Sequence, residues 1–339
     1  MLRRRRLPAL TGALTALTLS LAACGGTSGD SAGAQAAGAS AAAGSGSAAG
    51  APVAVATTTQ LGSVLDRVVA CADARSVTVM GPGDDPHDFS ASSAQVKDMV
   101  SSGLVFSNGL GLEGGMESAL ANAQQDGAEV VEVAPELDPL PFGAGAHDDH
   151  EGETAEEHAG HDHGSLDPHV WMDVARMADA AALMGQSLAE HTGEQRYAEC
   201  GRTVQQELDA TDAEIQRILA EVPEDRRTLV ADHDAYGYFA DAYGFEVSGV
   251  VIPGGSTDAE PSSQELADLA RGMREDGVDA IVTSVASQNA LVETVAGEAG
   301  DVAVVELYES GVGPAGTPEA DYAEAMLHNA RTLADALTD

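Results

Sequence analysis

The stretch TGEQRYAECGRTVQQELDATDAEIQRILAEVP, residues 192–223, decides the fold. Its apolar residues Tyr197, Val204, Leu208, Ile215 and Leu219 recur at helical intervals, and no glycine or proline interrupts the run between Arg202 and Val222. The spacing predicts one long helix. On either side the rhythm changes, with short β runs alternating with helical segments, so the helix reads as a joint between two α/β lobes. Lobes joined in this way leave a cleft, and clefts between domains are favoured ligand sites.

Upstream of the joint, "VAVATT", "SVTVM", "GLVFSNG" and "AEVVEVAP" read as strands, separated by the helical segments "LGSVLDRVVACA", "ASSAQVKDMVSS" and "ESALANAQQDG". Downstream, "RTLVADH", "FEVSGVVIP", "VDAIVTSV" and "VAVVEL" are strands, with "AYGYFADAYG", "SSQELADLARGMREDG" and "SQNALVETVAGEAG" as helices between them. "DYAEAMLHNARTLADALTD" closes the chain as a helix. This alternation argues for βαβ units and parallel pairing. The expected fold is α/β: two lobes, each a mainly parallel β-sheet flanked by helices, joined by one long rigid helix, with the ligand site in the interlobe cleft. The N-terminal lobe is expected over 52–192, the linker helix over 193–222 and the C-terminal lobe over 223–339.

The beginning of the chain has a separate logic. "MLRRRR" is a positively charged n-region, and "LPALTGALTALTLS" is an apolar run too short for a membrane span. "LAAC" then places small residues before Cys24, which resembles the bacterial lipobox. That resemblance implies a signal peptide over 1–23, cleavage before Cys24 and a lipid on its sulfur; a plain secretory signal is the alternative. Residues 25–51 are mostly Gly, Ser and Ala without hydrophobic periodicity, so 24–51 is expected to be a flexible tether. Cys71 and Cys200 are the remaining cysteines. Outside the cytoplasm they could form a disulfide or stay as two buried thiols.

Acids outnumber Lys and Arg by 55 to 16, for a formal charge of −39. Phosphates would be repelled, which excludes a nucleic-acid partner. Such a charge suits a protein that attracts cations, although a solvated acidic surface accounts for most of it.

Histidine is distributed unevenly. Of the ten, six fall between His147 and His169. His87 ("GDDPHDFS"), His169 ("LDPHVWMD") and His233 ("VADHDAYGY") lie in loops at or after strand ends, where an open α/β sheet places its ligands. Aspartates flank each of them: Asp85 and Asp88, Asp167, and Asp232 and Asp234. A metal-bound imidazole commonly donates its other N–H to a carboxylate. One such histidine alone would more often be structural, but three in equivalent topological places point to a metal site.

"DDPHDF", "NGLGLE" (108–113), "DPHVWMD", "HDAYGYFADAYG" and "DYAEAMLHNA" together, in this order, resemble the metal-binding solute receptors of bacterial ABC importers, the zinc and manganese group. The resemblance spans nearly all of the chain from Pro52. It implies two lobes bridged by one long helix. It also implies metal ligands at His87, His169 and His233, and as partners an ABC permease and its ATPase. The chain would be a monomer, lipid-anchored at Cys24 on the extracytoplasmic face of the cell membrane. The fourth ligand of the family is often an acid in a "DSLG"-like turn. Here that turn reads "ELYESGVGPAG", with Ser310 at the acid's position and Glu309 beside it. Glu309 or water is therefore expected as the fourth ligand.

Three imidazoles with one carboxylate or water suit Zn2+. A manganese receptor would be expected to carry more oxygen. The other five histidines, His147, His150, His158, His161 and His163, lie in an acidic run without periodicity, 147–163, which reads as a His-rich loop offering weaker, secondary metal sites. The resemblance agrees, since its zinc members often carry such a loop. No enzyme is expected: "HEGET" lacks the second histidine of a zincin, and no GxxxxGK[S/T] phosphate loop occurs. A manganese or other divalent-metal receptor, a metal-binding adhesin and a zinc hydrolase with an open coordination position are the alternatives.

Overall fold

A computed structural model describes residues 51–143, 166–257, 259–286, 290–300 and 302–338. In the first lobe, β1 (Ala54–Ala56), α1 (Thr59–Cys71), β2 (Ser76–Thr78), α2 (Ser93–Ser102), β3 (Leu104–Ser107), α3 (Glu117–Gln125) and β4 (Glu129–Glu132) follow one another. Two helices then run between the lobes, α4 (Val174–Thr192) and α5 (Arg196–Leu219). The second lobe holds β5 (Thr228–Ala231), α6 (Gly237–Tyr243), β6 (Glu246–Val250), α7 (Ser263–Asp276), β7 (Ala280–Ser284), α8 (Ala290–Ala299) and β8 (Ala303–Leu307), and α9 (Tyr322–Thr338) follows it.

The sheet orders are β2-β1-β3-β4 and β6-β5-β7-β8. Every strand pair is parallel, with Val55 opposite Val105 in one sheet and Val230 opposite Ile281 in the other. Both central strands of each sheet are buried throughout or nearly so, as parallel strands covered by helices on both faces must be, and their apolar runs follow from that. In each lobe the strand order reverses beside the first strand, and loops leaving the carboxyl ends of the strands at such a point form the natural ligand crevice.

Helix α4 is an addition to the sequence reading, which assigns no helix to 174–192. Asp173 caps it by accepting the N–H groups of Ala175 (2.9 Å) and Arg176 (3.3 Å), and Gly193 ends it in the left-handed conformation. It packs against α5 where two glycines meet. A Cβ on Gly201 would lie 2.6 Å from the Ala181 carbonyl oxygen and 2.9 Å from the Gly185 Cα. Gly201 in mid-helix is thus a requirement of packing. Gly201→Val is expected to lower stability by about 3 kcal/mol, through backbone overpacking. Gly272→Ala in α7, where a Cβ meets nothing within 4 Å, should raise it by about 0.5–1 kcal/mol. Urea unfolding followed by circular dichroism checks both signs.

Cys71, at the end of α1, and Cys200, in α5, form a disulfide with their Cα atoms 5.8 Å apart. It closes a loop of 129 residues, which on the chain-entropy account is worth as much as about 5 kcal/mol. One hydrophobic core runs through Leu65, Phe106, Trp171, Met184, Leu208, Tyr238, Leu307 and Leu333, and so joins both lobes to α4, α5 and α9. Separate clusters fill the outer layer of each lobe, around Val105 and Met99 in the first and Ile281 and Val295 in the second. Among the described residues no helix is long and apolar enough to cross a membrane.

Candidate metal centre

His87 stands in the irregular segment after β2, His169 just before the turn that leads into α4, and His233 two residues beyond β5. Chain topology separates them, yet the three rings form a near-equilateral triangle with centroids 5.4, 5.7 and 5.4 Å apart. One nitrogen from each lies within 4.8 Å of the others. The Nε2 atoms of His87 and His169 are 3.4 Å apart. Two nitrogens bound at 2.0–2.1 Å to one tetrahedral zinc would be about 3.4 Å apart. His169 and His233 are 0% and 2% exposed, and His87 is partly buried.

The ring orientations follow from the aspartates. Asp167 Oδ1 accepts both the backbone N–H of His169 (2.9 Å) and its Nδ1 (2.7 Å). Asp232 Oδ1 does the same for His233, at 2.8 and 2.9 Å. A carboxylate only accepts, so each Nδ1 carries a proton and each Nε2 is the atom left for a metal, the arrangement by which a second partner fixes a metal-binding imidazole. Asp232 is fixed in turn, its Oδ2 accepting from the Thr283 hydroxyl (2.8 Å) and the Ser284 N–H (3.1 Å). In the first lobe Asp85 Oδ1 accepts the His87 N–H at 2.9 Å.

His169 is also braced from outside its own loop. Tyr238 of α6 donates to the Asp167 carbonyl (2.7 Å), and Asn108 Nδ2 donates to the Pro168 carbonyl (2.9 Å). Glu113 holds the Asn108 turn, its carboxylate accepting the Thr57 hydroxyl and the Asn108 N–H, both at 2.6 Å, and the Gly109 N–H at 3.0 Å. The motif 108–113 therefore serves as a brace for the ligand loop. Tyr238, Thr283 and Ser284 escape the sequence reading, and nothing in their local sequence announces a partner some 50 to 70 residues away.

Glu309 is 1% exposed and its backbone carbonyl joins the lobes, accepting from Trp171 Nε1 (2.8 Å) and Gln60 Nε2 (3.1 Å). Its carboxylate accepts the Ser310 hydroxyl at 2.7 Å and is not among the groups that cluster with the three imidazoles. Burial pushes the Glu309 carboxyl up to about 7, against the pull of His233. Burial likewise takes Asp167 to about 7. Burial alone would lower His233, but the carboxylates of Glu309, Asp232 and Asp85 outweigh it and raise His233 to about 9. The Nε2 of His233 has no hydrogen-bond partner among the described residues. A proton there is held by the surrounding negative charge and not by an acceptor, and a divalent cation is what could replace it. Cys24, expected to carry the lipid, and His147, His150, His158, His161 and His163, expected as secondary metal sites, lie outside the described residues.

Residues 54–336 match the family of zinc-uptake complex component A, periplasmic (ZnuA). The zinc-binding protein TroA of Treponema pallidum (strain Nichols) is 32% identical over 292 residues, which cover 82% of this chain and 87% of TroA. The manganese-binding lipoprotein MntA of Bacillus subtilis (strain 168) is 29% identical over 293 residues, covering 83% of this chain and 88% of MntA. The solved structure of the periplasmic zinc-binding TroA from Treponema pallidum superposes with a TM-score of 0.71 at 28% identity, covering 86% of this chain and all of that one (100%). With its fold, its histidine cluster and these likenesses in agreement, the chain belongs to the ZnuA family of metal-binding solute receptors of ABC importers.

Proposed function

We propose that this receptor is specific for zinc, capturing Zn2+ through His87, His169 and His233 and delivering it to an ABC permease driven by its ATPase. The observation that carries the reading is the ligand set: three buried or partly buried imidazoles converge, and among the described residues no carboxylate joins their cluster. Manganese favours more oxygen, whereas three nitrogens with one further position suit zinc. The relatives are named for both metals, so the metal is argued from this site alone. Glu309 or a water would complete the four-coordinate shell. Glu309 reaches the metal on that reading only by exchanging its Ser310 partner for the ion. The role is binding and release, not hydrolysis.

The chain would act outside the cytoplasm, lipid-anchored at Cys24 through the tether 24–51, with the lobes and linker bounded as the sequence suggests. The relatives named as lipoproteins support the anchor. The His-rich run, 147–163, would collect cations more weakly than the cleft, as secondary sites.

Competition titration against a chelator tests the reading. Zinc is expected to show one tight step near nanomolar, about −12 kcal/mol, with weaker steps from the loop. Manganese should bind about a thousandfold more weakly. Equal affinities would move the chain among the manganese receptors.

A further inference from the structure

Two of the three imidazoles are oriented by carboxylates that also belong to their own lobe, while the third is tied across the cleft. Asp167 serves His169, and Asp232 serves His233 with help from Thr283 and Ser284. Asp85 divides its carboxylate. Oδ1 accepts the His87 N–H at 2.9 Å, and Oδ2 accepts the hydroxyl of Thr257 at 2.7 Å. Thr257 belongs to the second lobe, in the segment beyond β6. The same segment meets the first lobe a second time at Gly255, where a Cβ would lie 2.3 Å from the ring of Phe142.

The geometry points to Thr257 as a positioning residue for metal retention: its hydroxyl, reaching from the second lobe to Asp85, holds the His87 loop against the ligand cluster and sets how fast the metal leaves. This rests on the metal-receptor reading above. His87 is the ligand most in need of such a hold. Its loop, 81–91, contains no helix or strand, and it is the one histidine of the three that is not fully buried. Parting the lobes must break the Thr257–Asp85 bond, and while that bond stands the backbone of His87 is fixed. A hydrogen bond to an ionised carboxylate is about twice as strong as a neutral one, so its loss is felt. It is absent from the first encounter of metal with an open cleft, so its effect falls on release more than on capture.

The test compares wild type, Thr257→Val, which removes the hydroxyl at constant shape, and Thr257→Ser, which restores it. Zinc-loaded protein is mixed with excess chelator in a stopped-flow instrument, and the Co2+-substituted forms are compared by their visible absorption. Thr257→Val is expected to release zinc about tenfold faster, or about 1.4 kcal/mol, and to alter the Co2+ bands, with Thr257→Ser close to wild type in both. A merely structural role would lower thermal stability but leave rate and bands unchanged. Release and bands equal to wild type in Thr257→Val overturn the inference. A wild-type protein that takes up no metal overturns the receptor reading and this inference with it.

Discussion

Replacing His169 or His233 by alanine is expected to lower zinc affinity about a thousandfold, some 4 kcal/mol. The magnitude follows from the site's construction. An outer partner of a metal-binding histidine alone is worth about 10–100-fold, and a ligand must be worth more than its support. Both rings are buried and each is fixed by an aspartate at Nδ1, so each presents a preorganised nitrogen whose loss is felt in full. His87→Ala should cost less, because its partly buried position lets water take the ligand's place. Chelator competition on the three variants checks the order, with metal-free thermal melting to show that the fold survives. Wild-type affinity in His169→Ala or His233→Ala would remove that residue from the site.

Proton competition should produce the second large effect. Metal binds the deprotonated imidazole. His233, raised to about 9 by the carboxylates around it, holds its proton in the metal-free protein throughout the neutral range. The sign follows: below about pH 9 each zinc must displace that proton, and affinity falls about tenfold for each unit of pH. Below about 7, Glu309 and Asp167 also gain protons in the metal-free protein and steepen the fall. From pH 8 to pH 6 the affinity should drop by at least about a hundredfold. Calorimetry at pH 7 in buffers of different ionisation enthalpy should find one or more protons released per zinc. A flat affinity with no proton release would contradict a site built on His233.

Much of this arrangement is legible in the sequence because it is local. The strands of both sheets show as short apolar runs, and the long helix α5 shows as Tyr197, Val204, Leu208, Ile215 and Leu219 at helical spacing. Helix α4 does not stand out. Its buried positions include Ala178, Ala180, Ala181 and Ala189, and alanine also lies on its other faces, so the apolar stripe has little contrast. The candidate ligands are legible by their place after strands beside aspartate. Which groups steady those aspartates is not, since Thr283 lies 51 residues from Asp232 and Thr257 lies 172 from Asp85. At Glu309 the motif alone leaves the fourth ligand open, because the family's acid position falls on Ser310 beside it. The Glu309 carboxylate rests on Ser310 while its carbonyl ties Trp171 and Gln60.

The central claim is that one zinc ion sits on the three imidazoles of His87, His169 and His233. Zinc K-edge X-ray absorption tests it most directly, on protein lacking 147–163 and loaded with one equivalent of Zn2+, so that the loop histidines cannot contribute. The account predicts three imidazole nitrogens at about 2.0–2.1 Å and one oxygen. A first shell with fewer than three imidazoles would contradict it.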